Sequence, residues 1–512
     1  MVHTADVSAD THKIGAAARM QFAGAVLRSF VLFAFQWLVA RAYGPGPFGI
    51  ANLALSGFQT AAMLGRAAGD NVVLRAQTTA DRQEAFSLGV SISLWGGLLA
   101  GMGLWVSGLA LSGWHPSSPT ATSFLLAAFA VPSAAVLFPL GAGLRREGRF
   151  TEYTLVATLL EPIVRLLLVV LAIVIGAHWT ASVASITAAS TITALVGLSL
   201  LRSELKVVPT LHGHQATRLF AYSGTMTLAA ALNTGFLFVQ LSLLTLLGLQ
   251  QQTGIFAAAG RIALLALWIQ WAFSAPFTPL IAQRLAHSND ASDLENAYQR
   301  VVAGVLWVNS PFLVSMVVSA PAILGIFGST FQSGAVLLVI LAAGQWVNSA
   351  TALAEEFLPL SSRSGLTLVN NLGAVLLLVA LGIPLGMKYG VIGVGLASSV
   401  AVIGVNIVRA KQVAKMFRVA LPGRTIAKAG VASLIAAAVF LRTAWSLIGR
   451  PSLQFALGAL AAALTIALMW LTSSHDDRTT LRGLLLPRRP ATDRLGESSR
   501  RAHAVPSPPQ DR

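Results

Sequence analysis

The chain contains no cysteine. That excludes disulfides, thiolate metal sites and thiol nucleophiles, and it leaves the redox compartment open. Charge is scarce as well: Asp, Glu, Lys and Arg make up 11% of the 512 residues, less than half of the roughly 25% found in soluble domains. A soluble protein of this length forms two or three domains, each with a charged surface. Thirty-five basic and 19 acidic side chains cannot supply that surface. The constellations of catalysis are missing too, with no Ser/His/Asp arrangement, Gly-rich phosphate loop or metal-ligand cluster. His212 and His214 form an HxH without nearby carboxylates, a poor metal signal. What remains is apolar: 55% of residues are hydrophobic and the mean hydropathy is +0.71. The chain reads as an integral membrane protein with little soluble mass.

A bilayer-crossing helix needs about 20 mostly apolar residues. By that measure the sequence divides into fourteen spans: 20–40, 47–69, 86–111, 122–143, 153–175, 181–201, 219–247, 254–283, 300–327, 333–359, 366–387, 389–409, 425–442 and 451–472. Met1–Ala18 carries Asp6, Asp10 and His12 before any apolar run, unlike a cleaved signal peptide. From Ser473 the composition turns polar, basic and Pro-rich, which predicts a disordered tail.

Lys and Arg fix the orientation. With the N-terminus in the cytoplasm, 27 of them fall inside, 4 outside (Arg41, Lys388, Arg442, Arg450) and 4 within spans. The net charge of +16 is therefore topological, and a nucleic-acid-binding face is not needed to explain it. Both termini are expected in the cytoplasm.

An internal echo divides the spans. Gly49-Ile50-Ala51 opens the second and Gly254-Ile255-Phe256 the eighth, 205 residues apart. Near the same offset, Ala189-Ser190 corresponds to Ala397-Ser398. Two six-helix units of like orientation, related by a pseudo-two-fold axis along the membrane normal, are a recurrent transporter plan. The expected fold is thus an all-α polytopic membrane protein with about 14 transmembrane helices. It comprises a cytoplasmic N-terminus (1–18), an N-lobe (19–201), a linker (202–218), a C-lobe (219–424), two further helices (425–472) and the tail (473–512).

Four segments carry a resemblance over about Gly15–Val419. They are Leu38–Gly49 (LVARAYGPGPFG), Thr253–Arg261 (TGIFAAAGR), Phe327–Phe331 (FGSTF) and Tyr389–Gly393 (YGVIG). In order and spacing they resemble the polysaccharide flippases of the multidrug/oligosaccharidyl-lipid/polysaccharide exporter superfamily. Members often carry an acidic residue late in helix seven, where this chain has Gln240 and Ser242. The resemblance implies a bacterial inner-membrane flippase for undecaprenyl-pyrophosphate-linked oligosaccharide in O-antigen, capsule or exopolysaccharide synthesis. The implied partners are that lipid, the surrounding membrane lipids, and a polymerase with other assembly proteins. No cofactor is implied beyond proton or sodium coupling.

Ionisable groups inside spans cost about 2.5–3.5 kcal/mol on insertion scales and usually face a cavity or a partner. Arg28, Arg66, Arg165 and Arg261 are candidate headgroup ligands, since a guanidinium stays charged and binds phosphate oxygens as a fork. Arg165 has Glu161 at i−4 and Arg66 has Asp70 at i+4, so ion pairing alone accounts for those two. Arg28 and Arg261 lack a same-helix carboxylate. Glu161, Glu355 and Glu356 are candidate ion-coupling groups, the last two equally readable as an interfacial acidic pair. Pro132, Pro139, Pro162, Pro276, Pro279, Pro311 and Pro321 interrupt spans and are expected to bend some of them.

Three other functions compete. A cation-coupled multidrug exporter of the same superfamily would use acids to attract cationic drugs. A polytopic glycosyltransferase or polymerase would place its working residues in sizeable outer loops, yet Ser112–Ala121, the longest, has no carboxylate. A structural component of a biosynthetic complex would leave assembly, rather than flipping, sensitive to its loss. Topology can be tested directly: reporter fusions at Arg146 and Trp114 are expected to read inside and outside respectively, and the reverse pattern overturns the assignment.

Overall fold

A computed structural model of the chain describes residues 2–75, 79–204, 213–274, 291–351, 353–360 and 364–473. The tail beyond residue 473, Pro276 and Pro279 lie outside these. All regular structure among the described residues is helical. In order, the first half comprises α1 (Val2–Tyr43), α2 (Pro45–Gly65), α3 (Gly69–Arg75), α4 (Thr79–Leu111), α5 (Pro119–Arg146), α6 (Phe150–Tyr153), α7 (Glu161–Val174) and α8 (Thr180–Leu200). The second comprises α9 (Gly213–Thr234), α10 (Phe236–Leu246), α11 (Gln250–Ala263), α12 (Leu265–Ser274), α13 (Ala291–Val318), α14 (Ala320–Gly325), α15 (Ala335–Ala350), α16 (Ala354–Leu360) and α17 (Ser364–Phe417). Two more follow, α18 (Gly423–Ser446) and α19 (Pro451–Thr472).

The chain is a multi-pass membrane protein. Among the described residues, eleven helices are long and apolar enough to cross a bilayer, and the pair Gly224–Thr234 and Phe236–Leu246, bent by 50°, makes a twelfth. One of the eleven, α17, is two legs joined at Gly390, whose backbone (φ 59°, ψ −137°) is not helical. The 21-residue α2 falls short of the same hydropathy measure because of polar residues such as Asn52 and Gln59. With both legs of α17 and α2 included, the fourteen spans of the sequence are recovered.

Breaks occur where the backbone loses a bond or a neighbour comes close. A π-helical stretch, Thr154–Leu160, leads into Glu161-Pro162. Pro162 has no N–H to give, and the widened register accommodates that loss without a free break. At Gly235, between α9 and α10, an added Cβ would lie 2.8 Å from the Ala231 carbonyl oxygen and 2.9 Å from Thr60 Cγ2 of α2. The bend therefore lets the seventh span lie tightly on the second. Pro132 and Pro139, by contrast, sit inside an unbroken α5.

In the first half, α5 packs against α4, α8 and α2; in the second, α17 packs against α15 and α9. α18 and α19 pack on each other and on α13. Gln454 fixes that attachment, its Nε2 donating to the Ala444 carbonyl (2.9 Å) while its own carbonyl accepts from Ser319 Oγ (3.0 Å).

The halves meet through α2 and α11, at the echoed glycines. A Cβ on Gly49 would come within 2.6 Å of the Gly254 nitrogen, and one on Gly254 within 1.9 Å of the Pro45 carbonyl oxygen. Equivalent residues touching each other is the contact expected beside a two-fold axis. Aromatic rings close the same end. Phe33 packs edge-on against Phe327 and Phe48 edge-on against Phe331, each pair 5.7 Å between centroids. Trp37 Nε1 donates to the Ile326 carbonyl at 2.9 Å. Three of the four sequence segments noted above thus converge on one seal at the end assigned to the outside.

Overpacking this backbone contact costs about 1–3 kcal/mol, equivalent to a roughly 5- to 150-fold population shift. Gly254→Ala is therefore expected to open the seal. In the cysteine-free chain, a thiol introduced by Thr253→Cys, at a buried site, should react with maleimide at least ~5-fold faster when Gly254→Ala is added. Unchanged labelling would show that the contact does not hold the end shut.

Candidate functional site

Beneath the seal, the second half encloses a cavity of about 690 Å³, walled by α9 to α12, α15, α16 and α17, with Gln59 reaching in from α2. Its shape follows from the breaks in those helices. The bend at Gly235 turns α9 from α10 and leaves Asn233 exposed at the wall. A second break at Leu264 separates α11 from α12. A third, between α15 and α16, includes Leu353 in the left-handed region (φ 74°).

Arg261 lies in the last turn of α11, one turn before its break, where the carbonyl ends of a helix favour a cation. The residue lines the cavity. Its Nε and Nη2 are buried and have no hydrogen-bond partner among the described residues. Arg165, in the other half, lies within electrostatic range of it.

A second guanidinium shares the cavity. Arg409 is 4% exposed; it donates through Nη2 to Asn371 Oδ1 (2.5 Å) and through Nη1 to Glu355 Oε2 (3.2 Å). Nη2 also reaches Glu355 Oε1 at 3.4 Å, and Nη1 reaches Asn406 Oδ1 at 3.5 Å. The sequence reading ends the twelfth span at residue 409 and leaves Arg409 in a basic connection. The structure corrects this: the helix runs to Phe417, and Arg409 is an interior group. The signal available was helical spacing, since Asn406 and Arg409 are i,i+3 on one face, opposite the Asn370-Asn371 pair. The neutral amides lining the cavity were missed as well, because a single Asn or Gln in a span carries no distinctive pattern.

The other candidates are placed as follows. Arg165 is 4% exposed, donates from Nε to Glu161 Oε1 at 2.9 Å and pairs with it again through Nη2. Its guanidinium also stacks 5.3 Å from the Phe35 ring centroid. Arg66 meets Asp70 at 3.5 Å across the break between α2 and α3, and stacks 5.4 Å from the Phe138 centroid. Arg28 is exposed on α1, within electrostatic range of Glu161 and Arg165. Arg28, Arg66 and Arg165 do not line the cavity, whereas Arg261, Arg409 and Glu355 do. Glu355 is held by Arg409, and the side chain of Glu356 lies outside the described residues. Gln240 donates to Ser398 Oγ, while Ser242 Oγ is buried with no partner among the described residues. No three His, Asp or Glu side chains converge as a metal-ligand group among the described residues.

The cavity's chemistry is thus cationic and amide-rich. It has two guanidinium groups and one lining carboxylate, which is already bonded to Arg409. An anionic group entering beside Arg261 would find unspent donors.

A profile of the family described as polysaccharide biosynthesis protein matches residues 38–335. The fold is similar to that of a lipid II flippase, MurJ, in an inward closed conformation, with a TM-score of 0.67 at 15% identity over 89% of this chain and 99% of that one. An inward-facing multidrug resistance MATE family transporter of the MOP superfamily gives 0.61 at 14% identity, covering 76% and 94%. A MOP superfamily transporter from Pyrococcus furiosus gives 0.56 at 16% identity, covering 79% and 95%. A comparison with curated protein sequences gives no match. The fold is therefore that of the MOP-superfamily transporters, as the sequence motifs implied.

Removing Arg409 strands Asn371 and Glu355. Hydrogen bonds to charged groups are worth about 1.5–3 kcal/mol, less here for the Glu355 arm, whose side chain is 38% exposed. Arg409→Leu is expected to lower thermal stability in detergent clearly. The Arg409→Leu/Glu355→Leu double variant should lose less than the sum of the two singles; strict additivity would mean the pair is not coupled.

Proposed function

The chain belongs to the polysaccharide biosynthesis protein family, and on that premise we propose that it flips undecaprenyl-pyrophosphate-linked oligosaccharide across the bacterial inner membrane. The product would feed O-antigen, capsule or exopolysaccharide synthesis. The observation that carries the reading is Arg261, an unspent guanidinium in a cavity whose lining carboxylate is already bonded. A pyrophosphate supplies the acceptors this group lacks, and a guanidinium binds it as a fork.

Arg261 takes the headgroup in the cavity, and Arg28, which stands outside the cavity in this conformation, is assigned to meet it from the first half as the lobes move. Arg28 stands beside the Glu161–Arg165 pair, which tempers the positive charge there. Arg165 and Arg66 serve chiefly to hold their helices, since each has a carboxylate and an aromatic face. The N-lobe and C-lobe rock around the site, exposing it to one side and then the other as the α2–α11 contact parts and closes. The prenyl chain stays in lipid while the polar part crosses. Coupling to a proton or sodium gradient belongs to the same proposal, with Glu161 and Glu355 as the carboxylates that face arginines. Both termini lie in the cytoplasm in this proposal, and a polymerase and other assembly proteins are the expected partners in the pathway.

A multidrug exporter reading is weakened by the same cavity, because a cationic drug would meet Arg261 and no free lining carboxylate. Catalysis has no support in the cavity's side chains.

The test is surface polysaccharide at matched, limiting expression. A hydrogen-bonded contact to a charged group is worth about 1.5–3 kcal/mol, or roughly 10- to 150-fold in affinity. Arg28→Ala and Arg261→Ala are expected to abolish transport while the protein still inserts. Lys at either position should restore part of it, keeping charge but losing the fork. Wild-type polysaccharide from both alanine variants would sink the headgroup assignment.

A further inference from the structure

The cationic groups account for only part of the cavity wall. Carboxamides supply much of the rest, from five helices: Gln59, Asn233, Gln270, Gln345, Asn348 and Asn371. Asn371 is spent on the Ala229 carbonyl and Arg409, but the other five keep donors or acceptors to offer. Asn348 Nδ2 is shared between Gln270 Oε1 (3.3 Å) and Gln345 Oε1 (3.4 Å), both long. Neither Gln59 nor Asn233 has a hydrogen-bond partner among the described residues. Thr367, which also lines the cavity and is 9% exposed, has a buried hydroxyl with none.

An unsatisfied polar wall of this kind selects its guest. A carboxamide both donates and accepts, as does a hydroxyl group. A phosphate only accepts and is served by the guanidinium. A prenyl chain does neither, and placed here it would leave amides unpaired at a cost of about 1–3 kcal/mol each. Two aromatic residues, Phe236 and Trp271, also line the cavity, and Trp271 is 56% exposed. The volume, about 690 Å³, lies within the roughly 300–1,000 Å³ of small-molecule sites.

We infer that this cavity is a saccharide subsite, in which Gln270, Gln345 and Asn348 hydrogen-bond sugar hydroxyls beside the face of Trp271, while Arg261 holds the adjoining diphosphate. The inference rests on the flippase reading above and adds to it where the sugars sit and what selects them. Arg261 and Gln270 lie on either side of the break at Leu264 and both line the cavity. The charged group and the amide wall thus face one space. The lining favours a hydroxyl-rich, uncharged glycan next to the diphosphate, because among the described residues no unbonded carboxylate or second free guanidinium lines it to meet a charged sugar.

The experiment compares two probes on the full-length protein in nanodiscs: undecaprenyl diphosphate, and undecaprenyl diphosphate bearing one glucose. The wild type is expected to bind the glycosylated lipid about tenfold more tightly. Gln345→Leu, Asn348→Leu and Trp271→Leu should each erode that preference while leaving affinity for the sugar-free lipid within about twofold, so each variant carries its own control for folding. Arg261→Ala should weaken both lipids and keep their ratio. Equal binding of the two lipids by the wild type overturns the subsite while leaving the flippase reading standing. Equal losses for both lipids in the amide variants overturn it too. Failure of the wild type to bind either lipid defeats the flippase reading itself, and the subsite with it.

Discussion

A charge buried in a bilayer must be paired, solvated or put to use, and the polar architecture of this chain follows from how it meets that demand. Arg165 and Arg66 are paired within a turn or across a short break, and each also rests on an aromatic ring. Arg409 is held by a carboxylate and two amides drawn from α16 and both legs of α17. Of the two arginines lining the cavity, Arg409 leaves just its Nε unpaired, whereas Arg261 has no acceptor among the described residues. A group left in that condition, with its charge intact and a cavity in front of it, is where a ligand has most to offer.

The seal and the cavity are products of the same helix irregularities. Glycines at 49 and 254 let two backbones touch where no side chain would fit, so one end is closed by main chain and rings. Farther along, the bend at Gly235 and the break at Leu264 turn helix segments away from each other. Straight helices packed over their whole length would leave no such space. The closed end and the cavity are therefore coupled geometrically, both governed by how α2 lies against the seventh and eighth spans.

Much of this was legible in the sequence, and the parts that were not have a physical reason. Spans were readable because about 20 apolar residues in a row rarely form anything but a bilayer-crossing helix. The i,i+4 pairing of Glu161 with Arg165 was readable because both partners lie on one helix. The echo of Gly49 and Gly254 marked a relation between halves, although nothing in it said that the two residues would meet. Arg409 was misplaced because a basic residue near a span's end looks the same whether the helix stops or continues. Hydropathy reports the average of a window, and the three positively charged residues nearby, Lys411, Lys415 and Arg418, drew the boundary too early. Gln270, Gln345 and Asn348 were invisible for a different reason: Gln270 comes from α12 and the other two from α15, and their shared neighbourhood exists only once the chain is folded.

The two halves meet at echoed glycines but do not share the cavity's lining equally. Among the described residues of the first half, Arg66 and Arg165 are paired and stand outside the cavity, while the second half lines it with amides, the paired Arg409 and the unpaired Arg261. Gene duplication of a symmetric shell would by itself make a passage indifferent to which way round its cargo lay. Here the polar lining comes almost wholly from one half, so the space between the halves is polar on one wall only. Such one-sidedness is fixed by side chains rather than by the opening of either end, and it would persist whichever side of the membrane the doorway faced.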